Sequence, residues 1–185
     1  LPPNHSLKEV KKIQEEAFYK QVELADEMNL PLVIHCRAAH FHLIPVLQKL
    51  IKQGKVKNRG VAHCFTGNWL EAKAYLDLGF YISFSGIVTF GNAPKVAEVV
   101  KKAPLEKILL ETDSPFLTPE PLRSEYFKLS KVAPPSLKFR RTMKNEPRNV
   151  KIVAQFIAKL RNLPVDEVAS VTSANAGRLF KIDRE

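Results

Sequence analysis

Four short runs in this chain are dominated by apolar residues and lack the in-and-out alternation of a strand with one wet face: Leu30 to His35, Gly60 to His63, Phe80 to Phe84 and Lys107 to Glu111. A strand tolerates apolar residues on both sides only where both sides are covered, as in a parallel sheet flanked by helices. The segments between the runs have helical spacing. Leu7 to Met28 sets Val10, Ile13, Ala17, Val22, Leu24 and Ala25 among Lys, Glu and Gln, with Ser6 placed to cap it. Phe41 to Lys52 and Trp69 to Leu78 follow the same pattern, and another helix starts near Ala93-Pro94, where proline suits a first turn. Such alternation specifies parallel βα units, in a doubly wound sheet or in a (β/α)₈ barrel.

Beyond Pro115 the pattern breaks. Pro119, Pro121, Pro134 and Pro135 punctuate a stretch that reads as a long loop ending at Asn145-Glu146-Pro147. Asn145 is placed to cap a helix with Pro147 in its first turn, continuing through Val150, Val153 and Ile157, and a last helical segment spans Pro164 to Phe180. Residues 1–185 are read as one domain.

Polar residues separate the two architectures. His35, His63 and Asp113 each stand at the C-terminal tip of a different apolar run, which is where barrels carry catalytic groups. Imidazole and carboxylate are common ligands of Zn²⁺ or Mn²⁺, ions that activate water at neutral pH. Taken singly, a strand-end histidine is better explained as a satisfied buried polar group or a loop cap than as a ligand; three such residues at strand tips favour a metal site. Cys36 and Cys64 directly follow His35 and His63, so strand alternation turns them toward the helix layer as core filler. His40 and His42 follow the first strand at a helix start, where exposure or capping explains them better than ligation.

The net charge of +10 and pI near 9.6 favour an anionic partner. The excess is concentrated between Arg123 and Lys144, where seven basic residues face the single acid Glu125. No apolar run approaches the length of about 20 residues that a membrane span needs. Two cysteines form no disulfide framework, which suits a reducing cytoplasm, or the nucleus in a eukaryote.

Several segments together resemble the TatD family of metal-dependent DNases. They are Ile34-His35-Cys36-Arg37-Ala38, Ala62-His63-Cys64-Phe65-Thr66-Gly67, Gly79 to Gly86, Leu110-Glu111-Thr112-Asp113-Ser114-Pro115, Asn145-Glu146-Pro147, and Thr172 to Ala176 through Leu179-Phe180. The resemblance implies a TIM-type barrel in the amidohydrolase style. It also implies two divalent ions (Zn, Mn or Mg) that activate water for phosphodiester cleavage, usually exonucleolytic on DNA. By position, His35 and His63 match histidines that hold one ion. Asp113 matches the aspartate that binds the other and takes a proton from the nucleophilic water. Arg37 would contact phosphate or form a surface ion pair, Glu111 would orient the ligands, and Arg140 and Arg141 would bind substrate from the basic loop.

The family's opening His-x-His strand and its Gly-Glu-x-Gly-Leu-Asp strand, whose glutamate bridges both ions, are absent from this sequence. The chain opens with Leu1 and a Pro-Pro pair, so about the C-terminal half of a barrel, with four strands, is expected. Ala38 stands where the family often has an aspartate. Two further functions compete: a non-catalytic nucleic-acid-binding or scaffold member of the family, and an amidohydrolase acting on a small carbonyl substrate.

Overall fold

The computed structural model describes residues 6–130 and 144–182. Helix α1 (Leu7–Glu27) opens with a capping box, in which Ser6 Oγ accepts from the Glu9 amide at 3.2 Å while Glu9 Oε2 accepts from the Ser6 amide at 2.7 Å. Strands β1 (Leu32–His35), β2 (Gly60–His63), β3 (Tyr81–Phe84) and β4 (Ile108–Leu110) form a parallel sheet in the order β1-β2-β3-β4. Helices α2 (His40–Lys52), α3 (Trp69–Asp77) and α4 (Pro94–Lys102) connect them. This is the alternation expected from the apolar runs, and its result is a partial TIM-type barrel of four parallel strands. The register aligns Leu32 with Gly60 and His35 with His63, then Val61 with Tyr81 and Ile82 with Ile108. Among the described residues no helix is long and apolar enough to cross a membrane.

Alternation along the strands divides their side chains between two faces. Ile34, Ala62, Ile82, Phe84 and Ile108 point to the helices and join the main core with Leu47, Tyr75, Val99 and Val100. Each such fully buried aliphatic side chain contributes roughly 1.5–3 kcal/mol. On the other face Val61 and Leu109 pack with Leu179, whereas Val33 at the edge of the sheet is 61% exposed. Between α1 and β1 runs an open groove of about 360 Å³ lined by Leu24, Met28, Leu30 and Val33 among others.

Two C-terminal helices, α6 (Val150–Arg161) and α7 (Val165–Phe180), brace the entry to β4. Asn175, fully buried, donates from Nδ2 to the carbonyls of Leu105 and Ile108, both at 2.8 Å, and accepts from Arg178 on Oδ1. Arg161 donates to the carbonyls of Val100 and Ala103 at 2.7 Å. These bonds tie the C-terminal helices to the backbone carbonyls around the entry to β4.

Three sequence expectations change. The stretch after Pro115 is not loop throughout, because residues Leu122–Ser130 form helix α5, fixed by the Arg123 guanidinium lying 4.7 Å from the Phe90 ring and 5.0 Å from that of Phe127. Asn145 does not cap a helix: a 3₁₀ turn over Pro147–Asn149 leads into α6, and the Asn145 side chain is used elsewhere. His40 is 4% exposed rather than solvated, with Nδ1 3.1 Å from the Tyr75 hydroxyl and its ring against Phe65.

Candidate metal centre

His35 and His63 end β1 and β2 in direct register and lie on the face turned away from the helices. Their ring centroids are 5.7 Å apart. The chain leaves β4 through Glu111 and Thr112 to Asp113, where φ is +54°. That turn brings the carboxylate back toward β2, so Asp113 Oδ1 lies 3.8 Å from His63 Nε2.

The opposite nitrogen of His63 is held as well. Nδ1 lies 2.7 Å from Glu111 Oε2, and a carboxylate oxygen only accepts, so Nδ1 is the donor of this bond and Nε2 is the nitrogen turned toward Asp113. Ser83 Oγ donates to the same Glu111 oxygen at 2.7 Å and fixes the carboxylate in turn. Glu111 Oε1 is buried without a hydrogen-bond partner among the described residues, an arrangement that costs free energy unless another donor or a cation reaches it. Ser83 was not singled out from sequence, although strand alternation puts it on the face of His63.

Cys64 corrects a sequence expectation. Its φ of +47° breaks strand alternation, and Sγ lies 3.3 Å from Ser85 Oγ, beside Glu111 and Asp113 instead of in the helix layer. Burial pushes its thiol up to about 11, with the two carboxylates adding to the effect and the Ser85 bond opposing it. Cys36 does pack against the core. Ala38 is likewise left-handed, at φ +53°, so the loops after β1 and β2 each hold one non-glycine residue, and the loop after β4 two (Asp113 and Leu117), in a conformation that costs about 1–2 kcal/mol.

Asn145 offsets that cost in the last of these loops. It is 4% exposed and donates from Nδ2 to the carbonyls of Thr112 at 2.9 Å and Phe116 at 2.7 Å, spanning Asp113. Its amide donates to the Pro115 carbonyl, and Oδ1 accepts from the Glu146 amide and Asn149 Nδ2. Replacing Asn145 with alanine removes the Nδ2 bonds to the part-buried carbonyls of Thr112 and Phe116, and the expected loss is about 2 kcal/mol in urea unfolding. An unchanged midpoint would show that the clamp is dispensable.

The donor set fits a divalent ion. His63 Nε2 and Asp113 Oδ1 are nitrogen and oxygen donors at 3.8 Å, a separation that one ion with bonds of about 2.0–2.2 Å to each spans, and the His35 ring is adjacent. The cage is incomplete, however: among the described residues no group of three or more His, Cys, Asp or Glu is arranged to hold a metal. Arg37 lies exposed in the loop after β1 and makes no ion pair among the described residues. Arg140 and Arg141, with most of the basic cluster, fall outside the described residues.

Relatives point the same way. The chain is 41% identical over 179 residues to the uncharacterized metal-dependent hydrolase YabD of Bacillus subtilis, an alignment covering 97% of this chain and 62% of that protein. It is 34% identical over 170 residues to the 3'-5' ssDNA/RNA exonuclease TatD of Erwinia tasmaniensis, covering 91% of this chain and 59% of the relative. It thus spans about three-fifths of the length of these curated relatives. Among solved structures, the TatD homolog YJJV from Escherichia coli K12 superimposes with a TM-score of 0.78 at 26% identity, over 97% of this chain and 61% of that one. The model of the TatD-related DNase family matches residues 1–181, and the chain belongs to that family.

Proposed function

We propose that this chain carries part of the active centre of a metal-dependent phosphodiesterase that degrades DNA from an end. The observation that carries this reading is the position of His63, fixed on one side by Glu111 and facing Asp113 on the other at the strand ends. His35 and His63 would hold one ion and Asp113 the other, with Glu111 and Ser83 setting the orientation of His63. When bound, divalent ions acidify a water and neutralise charge on a phosphoryl oxygen. Asp113 takes the proton of the attacking water, and the exposed Arg37 forks onto a phosphate oxygen. The exonuclease named among the relatives supports a nucleic-acid substrate, and so does the net charge of +10.

One observation favours a second reading, a nucleic-acid-binding protein without turnover: the ligand cage is incomplete among the described residues. Release of nitrophenol from bis(p-nitrophenyl) phosphate and shortening of an end-labelled oligodeoxynucleotide, each with Mn²⁺, Mg²⁺ or Zn²⁺ and with EDTA, separate the two. EDTA-sensitive cleavage of both is expected. Oligonucleotide binding with no cleavage under any ion would favour the second reading and reject the first.

A further inference from the structure

Among the described residues one histidine is enclosed, and it joins three elements. His40 is the first residue of α2 and is buried. Its ring centroid lies 5.2 Å from that of Phe65, two residues after His63, and 5.7 Å from that of Tyr75 on α3, which it meets edge-on. Its Nδ1 is 3.1 Å from the Tyr75 hydroxyl, and the thiol of Cys36, the residue after His35, lies beside the same hydroxyl. Phe65 and Tyr75 are themselves buried. The His40 ring therefore ties the loop after β1 to the loop after β2 and to α3. Ala39 adds no side-chain bond at the N-cap of α2, and Ala38 is left-handed, so His40 is the anchor of this segment.

That anchor fits its place only while uncharged. The groups facing it are Phe65 from the loop after β2, Cys36 from the loop after β1, and Tyr75 and Glu71 from α3. Glu71 is the charged neighbour, and its Oε2 already accepts from the Asn68 amide at 2.8 Å to cap α3. Arg37 and His42 are exposed. Burial holds the His40 pKa below the ordinary imidazole value, and Glu71 opposes the shift without cancelling it. The positive end of a helix dipole disfavours a cation there as well. A ring released to water takes a proton near about pH 6.5, whereas the enclosed ring resists it. The enclosed arrangement thus has its full stability above that pH and loses it as the pH falls further.

We propose that His40 is an acid-sensitive latch: while neutral it locks the loop after β1 onto Phe65 and Tyr75, and on protonation it swings out and frees that loop, with Arg37 and the end of β1 at His35. The latch goes beyond the hydrolase reading and does not depend on it. It is a conformational switch with no bond made or broken. Its range is local, because the core beneath Tyr75 is packed by Phe80 and does not contain His40's charge.

The test uses the Cys64→Ser chain, in which Cys36 is the remaining thiol. Its reaction with dithiodipyridine, which reports thiols in mild acid, is divided by the rate for the urea-unfolded chain at the same pH. From about pH 7.5 to about pH 5.5 this ratio should rise about tenfold, since each pH unit below the free imidazole value multiplies the released fraction by about ten. Far-UV circular dichroism should stay constant over that range. His40→Asn, which keeps a polar atom near the position of Nδ1, and His40→Phe, which keeps the ring packing, should abolish the rise. In the wild-type protein the proton on carbon 2 of the His40 ring should titrate below about pH 6.5 by NMR. A flat ratio with His40 present, a rise that persists in both variants, or a rise seen only with loss of circular dichroism would overturn the latch. So would a His40 ring that titrates at or above the ordinary value, a result that stands even if neither variant folds.

Discussion

Asp113→Asn should lower metal-dependent hydrolysis of bis(p-nitrophenyl) phosphate by about 10²- to 10⁴-fold, the range over which removing a positioned general base acts. The substitution is unusually clean at this position. Asparagine tolerates the left-handed conformation that Asp113 adopts at φ +54° as well as aspartate does, so the loop keeps its path. The Asn145 clamp grips the backbone on either side, through Thr112 and Phe116, and never touches the carboxylate. What changes is the charge and basicity opposite His63 Nε2. Rates at saturating Mn²⁺ alongside urea midpoints check it: a lost rate with an unchanged midpoint assigns the role to the carboxylate, and an unchanged rate removes Asp113 from the chemistry.

Gly60→Ala should unfold the protein more readily by about 3 kcal/mol or more. Gly60 opens β2 with φ at +153°, opposite Leu32, and a Cβ built there would overlap the Leu32 carbonyl. Relief requires prising β1 from β2, and with it the register that sets His35 beside His63. Gly54 provides the contrast. It also has a positive φ, +76°, but a Cβ would meet nothing within 4 Å, so Gly54→Ala incurs only the conformational cost of about 1–2 kcal/mol. Guanidinium or urea titrations of the two variants give the comparison, and equal losses would mean that close approach at Gly60 is not limiting.

How much of this was legible in sequence depended on whether the cause was local. Each strand shows as an apolar run because one face packs on the helices and the other is largely apolar too, so His35 and His63 are legible as tip residues, even though Val33 is exposed and Ser83 lies inside β3. Helix α5 was obscured because Pro119 and Pro121 dominate its surroundings, whereas its support is Arg123 stacked on Phe90, a residue distant in sequence. Cys64 was turned to the wrong side because alternation assumes an extended backbone, and one left-handed residue reverses the direction. Asn145 looked like a cap since asparagine followed by proline is a strong local signal; its partners, Thr112 and Phe116, lie 33 and 29 residues earlier. His40 is polar and near a helix start, and nothing local indicates that Tyr75 would meet it. Ser83 is legible in the sequence, since strand alternation alone places it on the face of His63 and Glu111.

The strand order carries a kinetic consequence. Because β1, β2, β3 and β4 pair only with their neighbours in sequence, the sheet's pairings close segments of 28 residues from Leu32 to Gly60, 20 from Val61 to Tyr81 and 26 from Ile82 to Ile108. Loop-closure entropy grows slowly with length, and none of these steps waits on a distant partner. The sheet is able to grow one βα unit at a time. Helix α7 is a later arrival than the sheet: Asn175 reaches back 70 and 67 residues to Leu105 and Ile108, so the bracing of β4 waits until α7 has formed.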